Sequence, residues 1–219
     1  MRTETKPSPR RGRPPSYDRN VALRSIRDVF WERGYSAASL DDIAAATGMN
    51  RPSLYGAFGD KREMYLAALR VFSVEIGGEV QKALEAPTLR EALEGFYLRA
   101  IQQYVSGKDS PRGCLFICTA ATEATGDATI RSALAAMLTE LDSVLADRIE
   151  RARAEGEPCA AGDPKVLGRL ANSVLHGLAV RARAGARRSE LLTIARAAVE
   201  SIAGSTSSVA PVRRPRVAT

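Results

Sequence analysis

The chain has 219 residues, 45% apolar and 26% charged, which is enough for a buried core and too balanced for a fibrous or wholly disordered protein. The net charge of +7 sits on the ends: residues 1–19 carry six basic against two acidic side chains, residues 204–219 carry three arginines and no acid, and the stretch between is neutral. No apolar run is long enough to cross a bilayer, the basic N-terminus has no apolar signal region, and three cysteines without CxxC spacing indicate neither a disulfide framework nor a zinc site, so a cytoplasmic protein without metal or cofactor is expected.

Residues 1–17 are rich in Pro and Arg and are read as a disordered basic arm. Within it Arg10-Arg11-Gly12-Arg13-Pro14-Pro15 resembles an AT-hook core, in which an extended Gly-Arg-Pro lays Arg13 into a narrow minor groove. A solvated tail is the alternative. A first helix is predicted from Asp18, which can cap it, to Arg33, with Val21, Leu23, Ile26, Val29 and Phe30 as its apolar face and Gly34 as its stop. Ser39-Leu40-Asp41-Asp42 has the spacing of a capping box and opens a second helix running to Thr47, with Leu40, Ile43 and Ala44 inward. Gly48 supplies a turn, Asn50 caps a short third helix with Pro52 in its first turn, and Asp60 caps a long fourth helix to Leu84. Further helices are predicted near 88–106, 114–125, 127–154, 164–184 and 189–203, and no window alternates long enough for a strand. The expectation is an all-α protein of about nine helices, ending in a disordered basic tail over 204–219.

Two short helices joined by a tight glycine turn, the second with a polar N-terminus, suit a reader of the major groove. Only the first turn of such a helix and its exposed face meet base edges. On that face lie Asn50, Arg51, Pro52 and Ser53. Arg51 can donate twice to a guanine edge, Pro52 can meet a thymine methyl, and Asn50 serves as a cap or a base reader. Tyr55 and Lys61 are placed to reach phosphates, although Tyr55 could instead pack between helices and Lys61 could simply be solvated. Ser39 and the amides opening the second helix offer an anion site.

Residues 39–66, SLDDIAAATGMNRPSLYGAFGDKREMYL, resemble the DNA-binding signature of the TetR family. The marks are Ile43-Ala44, Gly48, Leu54-Tyr55, Phe58 and Lys61, preceded by Phe30 and Gly34-Tyr35. The resemblance implies a helix-turn-helix DNA-binding domain over 18–65 and an effector-binding and dimerisation domain over 66–203. It implies base contacts from Arg51, Pro52 and Ser53, and phosphate contacts from Ser39, Tyr55 and Lys61. Gly56 and Ala57 depart from the larger polar residues of many members, so the late part of the third helix is expected to contribute less.

A single short reader covers few base pairs, so a symmetric dimer on a palindromic operator is expected, its recognition helices roughly 34–36 Å apart. The last two helices offer broad apolar faces for it: Leu167, Leu170, Val174, Leu178 and Val180, then Leu191, Leu192, Ile194, Ala195, Ala198, Val199 and Ile202. Family members carry an effector cavity among the middle helices. Phe96, Tyr97, Ile101, Tyr104, Leu115, Phe116, Thr119, Glu123, Met137 and Leu141 are the corresponding choices here, each of which could also be plain core. His176, the only histidine, reads as a hydrogen-bonded core imidazole rather than a metal ligand or pH switch. Cys114 follows Pro111-Arg112-Gly113 at a helix start, where a thiolate is favoured, and Cys118 lies one turn on. The Arg-Gly-Cys-Leu stretch resembles a subset of the family, some of which sense electrophiles or oxidants there; filling small apolar space is the alternative, and two thiols on one helix do not complete a metal site. The expected activity is an operator-bound repressor released by a small-molecule or thiol-reactive effector. An effector-independent architectural or division-linked DNA binder on the same fold is the rival, and no residue pattern indicates an enzyme.

Overall fold

A computed structural model describes residues 17–107 and 110–204. The basic arm with Arg13 and the tail beyond Gly204 lie outside the described residues. The regular elements of the described residues are all helical: α1 (Arg19–Ala37), α2 (Leu40–Thr47), α3 (Arg51–Phe58), α4 (Lys61–Leu84), α5 (Leu89–Val105), a π-helical turn (Phe116–Ala120) running into α6 (Ala121–Glu123), α7 (Ala128–Ala154), α8 (Pro164–Arg183) and α9 (Arg188–Ala203). None of these helices is long and apolar enough to cross a membrane.

Local chemistry sets the boundaries. Asp18, Ser39, Asn50, Asp60, Thr88, Asp127 and Asp163 each accept backbone amides at the N-terminus of the helix that follows, and at Ser39, Asp60 and Thr88 a full capping box closes. The first of these boxes was anticipated, with Asp42 N–H to Ser39 Oγ at 3.1 Å and Ser39 N–H to Asp42 Oδ2 at 2.9 Å. Gly34 breaks α1 with φ at 78°, a conformation that a side chain resists, and Gly48 turns α2 into α3 with φ at 68°.

The α1–α4 end packs around Ile26, Phe30, Ile43, Leu54, Met64 and Tyr65, all fully buried, with the Phe30 and Tyr65 rings edge to face at 5.0 Å. One expectation fails here: Val21 is half exposed, and Ala22 and Trp31 are buried instead. The buried face of α1 follows Ala22, Ile26, Val29, Phe30, and Val21 lies one position off that stripe.

The larger half places α7 against α8 and α9 against α5 and α8. Much of the anticipated dimer face is thereby consumed within the chain. Leu167, Leu178, Leu191, Ala195, Ala198, Val199 and Ile202 are buried, and Val174, Leu192 and Ile194 are half-buried. Val166, Leu170, Ser173, Gly177 and Val180 stay exposed on α8 as a stripe at helical spacing with small residues at its centre, flanked by the exposed Lys165, Arg169 and Arg181.

The two halves meet along a polar seam. Trp31 Nε1–H donates to the Gly113 carbonyl at 3.0 Å. Arg183 donates to the carbonyls of Trp31, Glu32 and Arg112 at 3.0–3.1 Å, the first two of which are carbonyls that the break at Gly34 leaves open near the end of α1. Arg62, in the first turn of α4, grips Asp127 with both arms of its fork and also reaches Thr129. Thr119 gives its one hydroxyl proton to the Leu115 carbonyl, so the Tyr65 hydroxyl, 2.6 Å away, donates to Thr119.

Candidate nucleic-acid interface and effector cavity

The α2–α3 pair presents the anticipated face. Asn50, Arg51, Pro52, Ser53, Tyr55 and Gly56 are all exposed, while Leu54 and Phe58 anchor α3 from below. A polar or charged side chain gains little stability by standing there, so the surface is free to serve recognition. Asn50 Oδ1 accepts the Ser53 amide at 2.9 Å, which commits one lone pair of its oxygen to the cap and leaves its amide nitrogen free to donate to a base.

Arg51 is held from α2. Its Nε–H and Nη2–H donate in parallel to the Asp41 carboxylate at 2.8 and 2.5 Å, and this pairing holds the Asp41 carboxyl below its ordinary range. Lys61, half-buried at the start of α4, lies over the Tyr35 ring at 4.8 Å and reaches toward the Ser36 carbonyl at 3.4 Å. Ser39 behaves differently from the expected anion site: its amide and hydroxyl both donate to the Asp42 carboxylate, so that helix start is already occupied by a negative group. Sequence reasoning missed Arg19, which donates to the Ala57 carbonyl at 2.7 Å and lies over the Phe58 ring, and Arg33, paired with Asp42. Basic residues at the ends of the first helix were the available signal.

A cavity of about 210 Å³ opens between α4, α7 and α8. Phe72, Ile76, Val80, Met137, Leu141, Val144 and Leu175 make it mainly apolar, and Ser73, Gln81, Glu140 and His176 add polar groups. Cys114 lies on its wall. Of the anticipated effector residues, Met137 and Leu141 line it, and Phe96 lines an adjoining groove that shares Ile76, Val80 and Leu175. The others go elsewhere. Ile101, Tyr104 and Phe116 fill the core, and so do Leu115 and Thr119. Tyr97 is buried with its hydroxyl donating to the Ala171 carbonyl at 2.9 Å. Glu123 stands at the seam, accepting from Ser36. The α4 wall was missed because its apolar residues read as ordinary core until α7 and α8 are placed opposite.

His176 departs from the expected satisfied imidazole. Its Nε2 is buried with no hydrogen-bond partner among the described residues, and burial lowers its pKa despite Asp142 nearby. Cys114 departs from the expected thiolate. Burial pushes its pKa up to about 11, and the amides of Ile117 and Phe116 and the Tyr104 hydroxyl only partly offset this. Cys118, half-buried against the Ala179 carbonyl at 3.9 Å, is raised for the same reason. The helix-start argument fails because desolvation of the charged sulfur outweighs the pull of the amides. Among the described residues no three His, Cys, Asp or Glu side chains converge on a metal position.

The comparisons with known proteins agree with this geometry. Residues 22–68 match the family model described as bacterial regulatory proteins, tetR family, and residues 91–199 match the one described as tetracyclin repressor-like, C-terminal domain. The HTH-type transcriptional repressor ComR of Escherichia coli is 34% identical over 191 residues, which cover 84% of this chain and 89% of ComR. The HTH-type transcriptional activator FasR of Mycolicibacterium smegmatis is 38% identical over 84 residues, 36% of this chain and 38% of FasR. Among solved structures, a cysteine-substituted mutant of the TetR family regulator CifR, complexed with 26-bp double-strand operator DNA, superposes with a TM-score of 0.79 at 33% identity, covering 87% of this chain and all of that one. The chain belongs to the TetR family of DNA-binding transcriptional regulators.

Proposed function

We propose that this protein is a dimeric repressor whose α3 reads a palindromic operator and which a small, mainly apolar effector releases. The observation that carries the reading is α4. One continuous helix of 24 residues begins beside α3 and, about three to six turns later, forms the wall of the cavity with Phe72, Ser73, Ile76, Gly77, Val80 and Gln81. A ligand that wedges α4 away from α7 and α8 moves the base of the reading head, and DNA must weaken that ligand by the same factor. Residues 18–65 are assigned to DNA reading and 66–203 to effector binding and dimerisation. Arg51, Pro52 and Ser53, with the amide nitrogen of Asn50, face base edges; Tyr55 and Lys61 face phosphates. Arg13 is assigned to a flanking minor groove; the reading is supported by Tyr17, the first described residue, which packs on Phe58 of α3.

The exposed α8 stripe of Val166, Leu170 and Val180 supports a two-fold contact with a second copy, with Ser173 and Gly177 allowing close approach. ComR is described as a repressor, which favours that direction of control. The effector carries one polar group able to bond the unpartnered His176 Nε2, on a body small enough for the cavity. Cys114 on the cavity wall favours a second reading, in which a thiol-reactive effector is first bound and then attacked. Operator DNA selected from a random pool serves as the probe, and a panel of small neutral compounds is titrated against the complex. Release by compounds that Leu141→Trp no longer answers, with DNA binding intact, is expected. Equal response in Leu141→Trp removes the cavity from the mechanism, and equal release by an electrophile from Cys114→Ser removes the thiol.

A further inference from the structure

The α2 side of the reading head holds a residue with a role in sequence choice. An arginine guanidinium carries five N–H bonds in one plane. In this protein Asp41 takes two of them, from Nε at 2.8 Å and Nη2 at 2.5 Å, which together form the side edge of the fork. The end edge, made of the outward N–H bonds of Nη1 and Nη2, has no partner among the described residues, and the Arg51 side chain is half exposed. That end edge has the spacing to meet O6 and N7 of one guanine together. The two engagements therefore use different edges and can coexist.

We propose that Asp41 is a specificity-determining positioning residue: it clamps Arg51 from α2 so that the free end of the guanidinium meets a guanine in the operator half-site. The proposal rests on the reading of Arg51 as a base contact. An arginine on an exposed helix otherwise samples many rotamers, and fixing one before binding lowers the ordering cost of the correct contact. The carboxylate also stands toward the duplex and repels phosphates regardless of sequence. Asp41 thus weakens binding to all DNA while strengthening discrimination at one base pair. Its contribution to folding is small, because an exposed ion pair is screened. Those opposite signs are a signature that a merely structural residue would not give.

The test uses the full-length protein and two variants, Asp41→Asn and Arg51→Ala, each allowed to select duplexes from the same random pool at fixed salt. For Asp41→Asn, we expect the preference for guanine at one symmetric pair of positions to fall on the order of tenfold, as the bidentate arginine–guanine contact loses its fixed geometry. Affinity for a scrambled duplex should rise, and the thermal midpoint should not move. Arg51→Ala should lose the same guanine preference altogether. If Arg51→Ala loses it while Asp41→Asn keeps it in full, the clamp is wrong and the base contact stands. If neither variant changes the selected sequence, the assignment of Arg51 itself fails. A drop of Asp41→Asn affinity by one factor on every duplex would also overturn the clamp, because it would show only a general weakening.

Discussion

Between Asn50 and Gly56 one residue, Leu54, is buried, whereas α5 buries seven of its 17. The reading head is a small platform defined by caps and turns that present polar groups outward. The larger half is a set of long helices whose polar groups turn inward to the seam, with a cavity left where packing does not close. The first kind of structure is specified by neighbours in the sequence. The seam that joins the second to the first is specified by residues 60 or more positions apart, as in the pairs Arg62–Asp127 and Trp31–Gly113.

The contrast can be broken or sharpened by experiment. The largest effect belongs to the larger half. Cys114 is a thiol up to about pH 11, so its thiolate fraction rises with pH through the whole accessible range. Alkylation followed by mass spectrometry should be slow at neutral pH and accelerate about tenfold per pH unit, roughly a thousandfold from pH 7 to 10. A rate already on a plateau at pH 7 would mean a resting thiolate. Because the folded value lies above that of a free thiol, this burial contributes stability below the free value and loses it as the pH rises toward 11.

Next in size is Phe30→Ala. It empties a fully buried site against Tyr65 and should cost about 3–5 kcal/mol in chemical denaturation. A cost under 1 kcal/mol would mean that the platform does not rest on this core. Gly77→Ala with Gly78→Ala comes third. An added Cβ meets nothing within 4 Å at either position, so the double variant should gain about 1–2 kcal/mol from helix propensity. If α4 carries the signal, the stiffened helix also answers the effector less in the operator-release assay. Asn50→Ala should cost about 1 kcal/mol through the lost cap, read from the same denaturation curves. The smallest effect is expected at Val21→Ser, within about 0.5 kcal/mol, because that valine is half exposed. A loss above 1 kcal/mol would return it to the core.

Legibility in the sequence follows the same division. The caps at Asp18, Ser39, Asn50 and Asp60, the turns at Gly34 and Gly48, and the exposed α3 face were all readable, because each depends on residues within a turn of one another. The Asp41 clamp on Arg51 was not, because it spans the turn between two helices. The cavity was legible in part: Met137 and Leu141 were found, but Tyr97, Ile101, Tyr104 and Phe116 belong to the packed interior. Periodicity marks a face as apolar and does not say whether another helix, a ligand or a second chain covers it. The anticipated dimer face shows the same limit, since α5 and α8 cover most of α9 and only the outer stripe of α8 stays free. At Cys114, the local sequence favours an ionised sulfur and the surroundings, invisible in sequence, reverse the sign.

The account turns on whether the exposed side of α3 is what holds DNA. Arg51 and Tyr55 are on the surface, so changing both to alanine should leave the fold and its melting curve intact. In a gel-shift titration on the selected duplex, the account predicts that affinity drops by about a hundredfold or more, from one base contact and one phosphate contact per half-site lost in duplicate. A folded double variant that shifts the duplex at the wild-type concentration would contradict it.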